Sequence, residues 1–334
     1  MSKKRVAIAG ATGAVGTEML KTLEKRNFPV ESLKLLASER SVGRKLLFRG
    51  KEIAVELLRP EAFDNVDIVL SSTSGTLSKE FSPAAVERGA VVVDNTSAFR
   101  MDPKVPLVVP EVNPQDIKWN NGIIANPNCS TIIANVPLYP IYKAFGLKRF
   151  VSCTYQAVSG AGAWGIEELR EQTKAYLEGG EIVKKKFPHQ IAFNVFSHNS
   201  AIGPDGFNEE EAKMIRETRK IFHDDSIVIS ATCVRVPVFR AHTEALHCEL
   251  GKEATPEEIR EVLSGAPGVK IIDNVSENHF PMPVESSGEY EVRVGRIRKD
   301  YLFDNGIAML ISGDQLLKGA AFNAVQIAEL LLQD

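Results

Sequence analysis

Two kinds of hydrophobic pattern divide the chain. Up to about residue 125, short apolar runs recur with little alternation: 4–9 (KRVAIA), 33–37 (LKLLA), 66–71 (VDIVLS) and 90–94 (AVVVD). Runs of that length, apolar almost throughout, fit strands covered on both faces, as in a parallel sheet. Between them Val15, Met19, Leu20 and Leu23 recur at helical spacing, and residues 81–88 read as a further helix. Strands alternating with helices predict an α/β domain over residues 1–128.

From 129 to 314 the pattern changes. The runs 148–158, 226–236, 243–250 and 291–298 are longer and partly alternating, with helices expected at 164–178, 209–222 and 256–264. Few parallel crossovers fit, so this stretch predicts an α+β domain with a mixed, largely antiparallel sheet and helices on one face. Leu316, Ala320, Val325, Ile327, Leu330 and Leu331 predict a last helix, and residues 315–334 are assigned back to the first domain. There is no internal repeat.

Composition narrows the function classes. The 334 residues are 44% hydrophobic and 25% charged, with a formal charge of −3, which suits a two-domain globular protein. No basic excess points to nucleic acid, and VKKKF at 183–187 reads as a solvated loop. The first twenty residues have a charged head, but three glycines and Glu18 interrupt the apolar stretch, so no signal peptide is expected. No apolar run reaches membrane-spanning length. Cys129, Cys153, Cys233 and Cys248 show neither zinc spacing nor a disulfide framework. The expectation is a reduced, cytoplasmic protein with no metal, nucleic-acid or membrane partner.

The first strand runs into Gly10-Ala-Thr-Gly13-Ala-Val-Gly16 and then a helix. This variant of the dinucleotide fingerprint makes the α/β domain Rossmann-like, because it permits a tight turn and close approach of pyrophosphate to a helix N-terminus. Glycines that merely serve a strand–helix turn are the plainer reading. After the second strand, Ser38, Arg40 and Ser41 surround Glu39. The serines and arginine suit a 2′-phosphate, so NADP is favoured over NAD.

Cys129 follows Pro127 and Asn128, where Asn128 is placed to cap a helix. A helix N-terminus favours a thiolate, so Cys129 is either a nucleophile or a buried apolar residue. In CVRVPVFRAHTEALH, Arg235 and His242 lie at a strand end and the turn beyond it. They offer a carboxylate fork and a proton-transfer group. His189, His198, His223, His247 and His279 have no comparable context.

GATGAVG, DNTSAFR (94–100), NPNCST (126–131), TYQAVSGAG (154–162), SATCVRVPV (230–238), VGRIRKD (294–300) and LLKGAAFNAVQIAE (316–329) together resemble the aspartate-β-semialdehyde dehydrogenase family. The blocks run from the first strand to the last helix, in the family's order. The resemblance implies an NADP-dependent enzyme that interconverts L-aspartate 4-semialdehyde plus inorganic phosphate with L-4-aspartyl phosphate, through a cysteine thioester. The physiological direction is reductive, in synthesis of lysine (through diaminopimelate), threonine, methionine and isoleucine. It also implies a homodimer or a dimer of dimers.

Carried over by residue, the resemblance makes Cys129 the nucleophile, His242 the acid/base group and Gln156 the side chain that positions the intermediate. Arg235 takes the substrate α-carboxylate, Glu210 the amine, and Arg100 and Lys213 the phosphate. Adjacent Glu209 and Glu211 leave the register of Glu210 open, and a solvated helix face is the plainer reading of this acidic run. Gly10, Thr12, Gly13, Ala14 and Val15 match the cofactor loop, and Ser38, Arg40, Ser41 and Val42 the 2′-phosphate turn. Ser159, Gly160 and Gln315 match further cofactor contacts, with Thr76, Asn95 and Ser97 weaker candidates.

Two features fit less well: Pro137 and Pro140 predict that the helix after Cys129 kinks or ends early, and Arg240 either competes for the carboxylate or faces solvent. The competing readings are an N-acetyl-γ-glutamyl-phosphate reductase, glyceraldehyde-phosphate dehydrogenase and, from another class, a non-catalytic NADP-binding sensor.

Overall fold

The short apolar runs become strands covered on both faces. The computed structural model describes residues 2–333, which fall into two compact units: residues up to Pro127 together with those from Ala320 onward, and Asn128–Gly319. In the first unit the elements are β1 (Lys4–Ala9), α1 (Ala14–Lys25), β2 (Val30–Ala37), β3 (Lys45–Phe48), β4 (Lys51–Leu57), β5 (Ile68–Ser71), α2 (Gly75–Glu87), β6 (Val91–Asp94) and β7 (Ile123–Ala125). The sheet order is β3-β4-β2-β1-β5-β6-β7, parallel except for the β3–β4 hairpin. Ile8, Leu35, Leu70 and Val93 lie fully buried at its centre.

The chain leaves β1 for β2 on one side and later for β5 on the other. The loop after β1 therefore sits at a topological switch point, where open α/β sheets bind ligands. Helix α2 starts at Gly75, six residues before the periodicity suggested, because the Ser74 hydroxyl accepts the Leu77 N–H and nucleates a polar first turn.

The second unit contains α3 (Cys129–Phe145), β8 (Leu147–Gln156), α4 (Ala163–Glu178), β9 (Phe196–Ser197), α5 (Glu209–Phe222), β10 (Val228–Arg235), β11 (His242–Leu250), α6 (Pro256–Ser264), β12 (Val269–Ile271), α7 (Pro283–Ser286), β13 (Val292–Asp300) and β14 (Gly306–Gly313). Its sheet is mixed, in the order β12-β13-β14-β11-β8-β10-β9, with β8–β10 and β12–β13 parallel. Parallel register sets Arg235 of β10 beside Gln156 of β8. On the other edge of β8, Thr243 of β11 faces Tyr155, which brings His242 to the same end of the sheet.

Helix α3 corrects the proline expectation. It runs unbroken through Pro137 and Pro140 to Phe145. Ile132, Ile133, Val136, Leu138 and Ile141 are all buried, and that tertiary packing outweighs the two lost backbone bonds. The last helix, α8 (Phe322–Leu330), begins later than the apolar pattern suggested, after a π-turn at Leu317–Ala321. Asp314 is the reason: its Oδ1 accepts the Leu316 N–H at 2.9 Å and starts a separate turn there. Ala324, Val325, Ile327 and Ala328 of α8 pack in the core of the first unit with Ile8, Met19 and Leu23. No helix among the described residues is long and apolar enough to cross a membrane.

Candidate active site

Cys129 is the first residue of α3, and Asn128 is its cap. Asn128 Oδ1 accepts from the N–H groups of Ser130 (3.0 Å) and Thr131 (3.3 Å). Asn128 Nδ2 donates to Glu210 Oε2 (2.8 Å), and its backbone N–H donates to Glu217 Oε2 (2.6 Å). The residue that shapes the helix mouth is thus tied twice to α5. Gly319, inside the π-turn, lets the later chain close over the cysteine: a Cβ there would lie 2.8 Å from Cys129 Cβ.

His242, wholly buried, sets its Nε2 3.4 Å from Cys129 Sγ. Its Nδ1 accepts the Ala157 N–H at 3.0 Å. A neutral imidazole has one donor and one acceptor nitrogen, so the ring proton sits on Nε2 and points at sulfur. Burial, reinforced by the charge of Arg235, holds the His242 pKa well below its ordinary value. The ring is therefore neutral at physiological pH. A helix N-terminus and an N–H donor both favour a thiolate at Cys129.

The Arg235 guanidinium is buried, with Nη1 donating to Ala157 O (2.7 Å), Nη2 to His198 Nε2 (2.6 Å), and Phe187 beneath it at 5.7 Å. Its Nε is buried without a partner. His198 had no sequence context, yet it belongs to this cluster. The register of Glu210 is equally clear. Glu211 closes a capping box with Asn208 and accepts the Cys233 N–H, and Glu209 is exposed. Glu210 Oε1 accepts from Lys213 Nζ at 2.8 Å. Burial works to raise the Glu210 pKa, but the Lys213 charge and the bonds from Lys213 and Asn128 bring it to about 2.

Gln156 is buried beside this group, its Oε1 accepting from Thr154 Oγ1 at 3.2 Å. Gly160 leaves little space: a Cβ there would lie 3.3 Å from both Arg235 Nη1 and His242 Cε1. Gln315 braces the same turn, donating through Nε2 to Ser159 Oγ and accepting the Ala241 N–H (2.8 Å) at Oε1. Arg240 does not simply face solvent; its Nε donates to the buried Asp314 at 2.6 Å. Cys233 and Cys248 are buried, which raises the Cys233 thiol pKa and pushes that of Cys248 up to about 12.

The remaining candidates lie in the first unit. Gly10 has a φ of +83°, and a Cβ there would collide with the Ser72 carbonyl. Gly13 caps α1 without a side-chain bond, leaving the first-turn N–H groups of Ala14 and Val15 available to an anion. Thr12 Oγ1 lies 3.1 Å from Ser41 Oγ, which joins the glycine loop to the short turn Glu39–Ser41. Ser41 is buried there, whereas Ser38, Glu39, Arg40 and Val42 are exposed. Arg100 is buried and donates to Asn126 O (2.9 Å) and Asn95 O (2.7 Å).

Residues 5–120 match the semialdehyde dehydrogenase NAD binding domain, and residues 138–318 match the semialdehyde dehydrogenase dimerisation domain. The molecule is thus an oxidoreductase with a Rossmann-like nucleotide domain. The aspartate-semialdehyde dehydrogenase of Aquifex aeolicus is 58% identical over 99% of this chain and 98% of its own. That of Bacillus subtilis is 49% identical over 98% and 96%. The crystal structure of aspartate semialdehyde dehydrogenase II from Vibrio cholerae, complexed with ASA, superposes with a TM-score of 0.98 at 46% identity, covering 100% of this chain and 99% of that one. The chain belongs to the aspartate-semialdehyde dehydrogenase family of amino-acid biosynthesis.

Proposed function

We propose that this chain carries out the reversible, NADP-dependent reductive dephosphorylation of L-4-aspartyl phosphate to L-aspartate 4-semialdehyde through a thioester on Cys129. The observation that carries the reading is the Cys129–His242 pair at the mouth of α3, in one unit with a buried arginine and an ionised glutamate. In the oxidative direction the thiolate adds to the aldehyde carbon, and the His242 Nε2–H holds the oxyanion that forms. That role suits a ring whose Nδ1 is engaged by Ala157; accepting a proton would need another tautomer. Loss of hydride from the same carbon restores the carbonyl as a thioester. A phosphate oxygen then attacks, releasing L-4-aspartyl phosphate and the thiolate.

Arg235 has the fork for the α-carboxylate, and Glu210 the charge for the ammonium. Gln156 would orient the intermediate, and Lys213 and Arg100 would meet the phosphate. The first unit fits a dinucleotide: Gly10 and the uncapped α1 N-terminus would receive the pyrophosphate, with Thr12, Gly13, Ala14 and Val15. Ser38, Arg40, Ser41 and Val42 would receive the 2′-phosphate, and Ser159, Gly160 and Gln315 the nicotinamide end. When bound, the nicotinamide supplies the hydride acceptor. An aspartate semialdehyde dehydrogenase from Candida albicans solved with NADP, 26% identical with a TM-score of 0.77 over 99% of this chain and 98% of that one, supports NADP as the form used. The same reading places the chain in the cytoplasm, as a homodimer or dimer of dimers, in the route to lysine, threonine, methionine and isoleucine.

The test is phosphate-dependent NADP reduction by purified protein with L-aspartate 4-semialdehyde, run beside NAD and N-acetylglutamate 5-semialdehyde. Activity confined to the aspartyl aldehyde is expected. Activity only with the acetylated, longer aldehyde, which offers Glu210 no ammonium, would transfer the chain to the N-acetyl-γ-glutamyl-phosphate reductase reaction. Tight NADP binding without turnover would leave the sensor. Replacing Arg40 by alanine is expected to raise the KM for NADP about tenfold, the worth of one charge-assisted bond, with NAD-driven turnover little changed. Equal losses with both cofactors would remove Arg40 from 2′-phosphate recognition.

A further inference from the structure

Resting on that reading, we propose that His198 is a positioning residue for substrate carboxylate recognition: as a neutral acceptor it holds the Arg235 guanidinium in the orientation that receives the α-carboxylate. Strand β9 brings it there. Phe196 pairs with Arg235, and the His198 N–H donates to Cys233 O at 2.9 Å, so the ring beyond the two-residue strand lands on the guanidinium. Its Nδ1 lies 3.0 Å from Ser200 Oγ and 3.2 Å from the Ser200 backbone nitrogen, and its Nε2 2.6 Å from Arg235 Nη2. An arginine only donates, so at 2.6 Å Nε2 must be the bare nitrogen; Nδ1 then carries the ring proton toward the serine oxygen, and the longer approach of the Ser200 N–H to Nδ1 gives way to it.

Without this ring the guanidinium would keep one bond, to Ala157 O, and the Phe187 face. A planar fork gains over a point charge only when its plane is fixed. Each Nη carries a second N–H that neither Ala157 nor His198 takes, and these are the donors such a clamp leaves for a ligand.

The charge environment is consistent with a ring that must stay neutral. Arg235 on β10 and Lys213 on α5 oppose a proton on His198, Glu210 on α5 favours one, and His242 on β11 is itself uncharged. Burial is the largest influence, and the His198 pKa falls to about 4. Protonation would set two cations 2.6 Å apart and undo the clamp.

The experiment compares His198→Gln, whose amide oxygen can accept from the guanidinium, with His198→Leu, which cannot. At pH 8, H198L is expected to raise the KM for L-aspartate 4-semialdehyde about tenfold or more, as for loss of one bond to a charged group. The KM for NADP and kcat should change less than about threefold, a tenfold change being one such bond. H198Q is expected to restore the aldehyde KM and to abolish the rise in that KM which the wild type shows below about pH 5, where its ring begins to charge. An unchanged aldehyde KM in H198L, or equal losses in both KM values and kcat, would overturn the proposal.

Nitrogen-15 spectra of the imidazoles provide a readout independent of turnover. The Nδ1–H tautomer of His198 is expected, with a titration that moves up toward 6.5 in Arg235→Leu. A ring protonated on Nε2 would overturn the clamp even in an active enzyme. Failure of the function reading shows separately, as a wild type inactive on the aspartyl aldehyde.

Discussion

Cys129→Ala is expected to lose phosphate-dependent NADP reduction by on the order of 10⁴-fold or more, because the step that makes the acyl group available to phosphate has no other nucleophile. Cys153 is only partly buried, but it lies on β8 opposite Ala245, outside the cluster of His242, Arg235 and Glu210. Cys233 and Cys248 are buried with raised thiol pKa values, so neither can substitute. The fold should tolerate the change. Cys129 is half-buried at an N-terminus whose cap is Asn128, and alanine is a good helix former. Cys129→Ser separates the chemistry from the shape: it keeps an atom within reach of His242 Nε2, but a hydroxyl is not ionised at neutral pH, and its activity should fall nearly as far. Mass spectrometry of wild type with aldehyde and NADP in the absence of phosphate should show an acyl adduct on the peptide carrying Cys129. Turnover above one part in a hundred in C129A, or an adduct elsewhere, would remove the thioester from the mechanism.

The parts of this site that were legible in the sequence are those set by local chemistry. Asn128 before Cys129, after a proline that ends a strand, describes a capped helix mouth with no need of tertiary knowledge. The register of the three glutamates carries a local signal too. Asn208 followed three residues later by Glu211 is a capping box, which commits Glu211 to the helix end and leaves Glu210 one helical turn from Lys213. His198 was not legible in this way. It reaches Arg235 across 37 residues through a strand of two, too short for any period to register. Arg240 meets Asp314 across 74 residues, a pairing that no spacing rule supplies. The uninterrupted α3 shows the opposite failure: a sound local rule about proline overridden by burial on nearly every side.

The same sheet that aligns the site carries a carboxyl group the proposed chemistry does not use, and its stability signature is the other large effect. Glu244 lies two residues after His242 on β11, wholly buried. Ser152 Oγ donates to its Oε2 at 3.2 Å, while Oε1 has no partner. Burial raises its pKa well above the ordinary 4.5, and the serine bond only partly offsets this. The folded protein therefore keeps a proton that the unfolded chain has released. Where the folded state binds more protons than the unfolded one, stability falls as pH rises. This contribution is fully present below 4.5 and is lost progressively above it, until the folded carboxyl itself ionises. The two buried histidines act with the opposite sign, but only below about 6.5, where the unfolded chain's imidazoles take up protons. Wild type and the variant described next share these histidines and the buried Cys233 and Cys248 thiols, so those titrations cancel in the difference between the two and Glu244 is isolated. Glu244→Gln removes the titration while keeping the size. Its urea midpoint, converted with a common m-value, should gain on wild type by about 1.4 kcal/mol per pH unit above pH 4.5 until the folded carboxyl ionises. The widening gap is the signal, not its value at any one pH, since the amide brings donors of its own into a buried place. A gap that stays constant from pH 4.5 upward would mean that Glu244 is ionised in the folded protein as readily as in the unfolded chain. In that case the interior beneath His242 carries a negative charge, which would stabilise an imidazolium at His242 and weaken the case for a neutral ring holding the oxyanion.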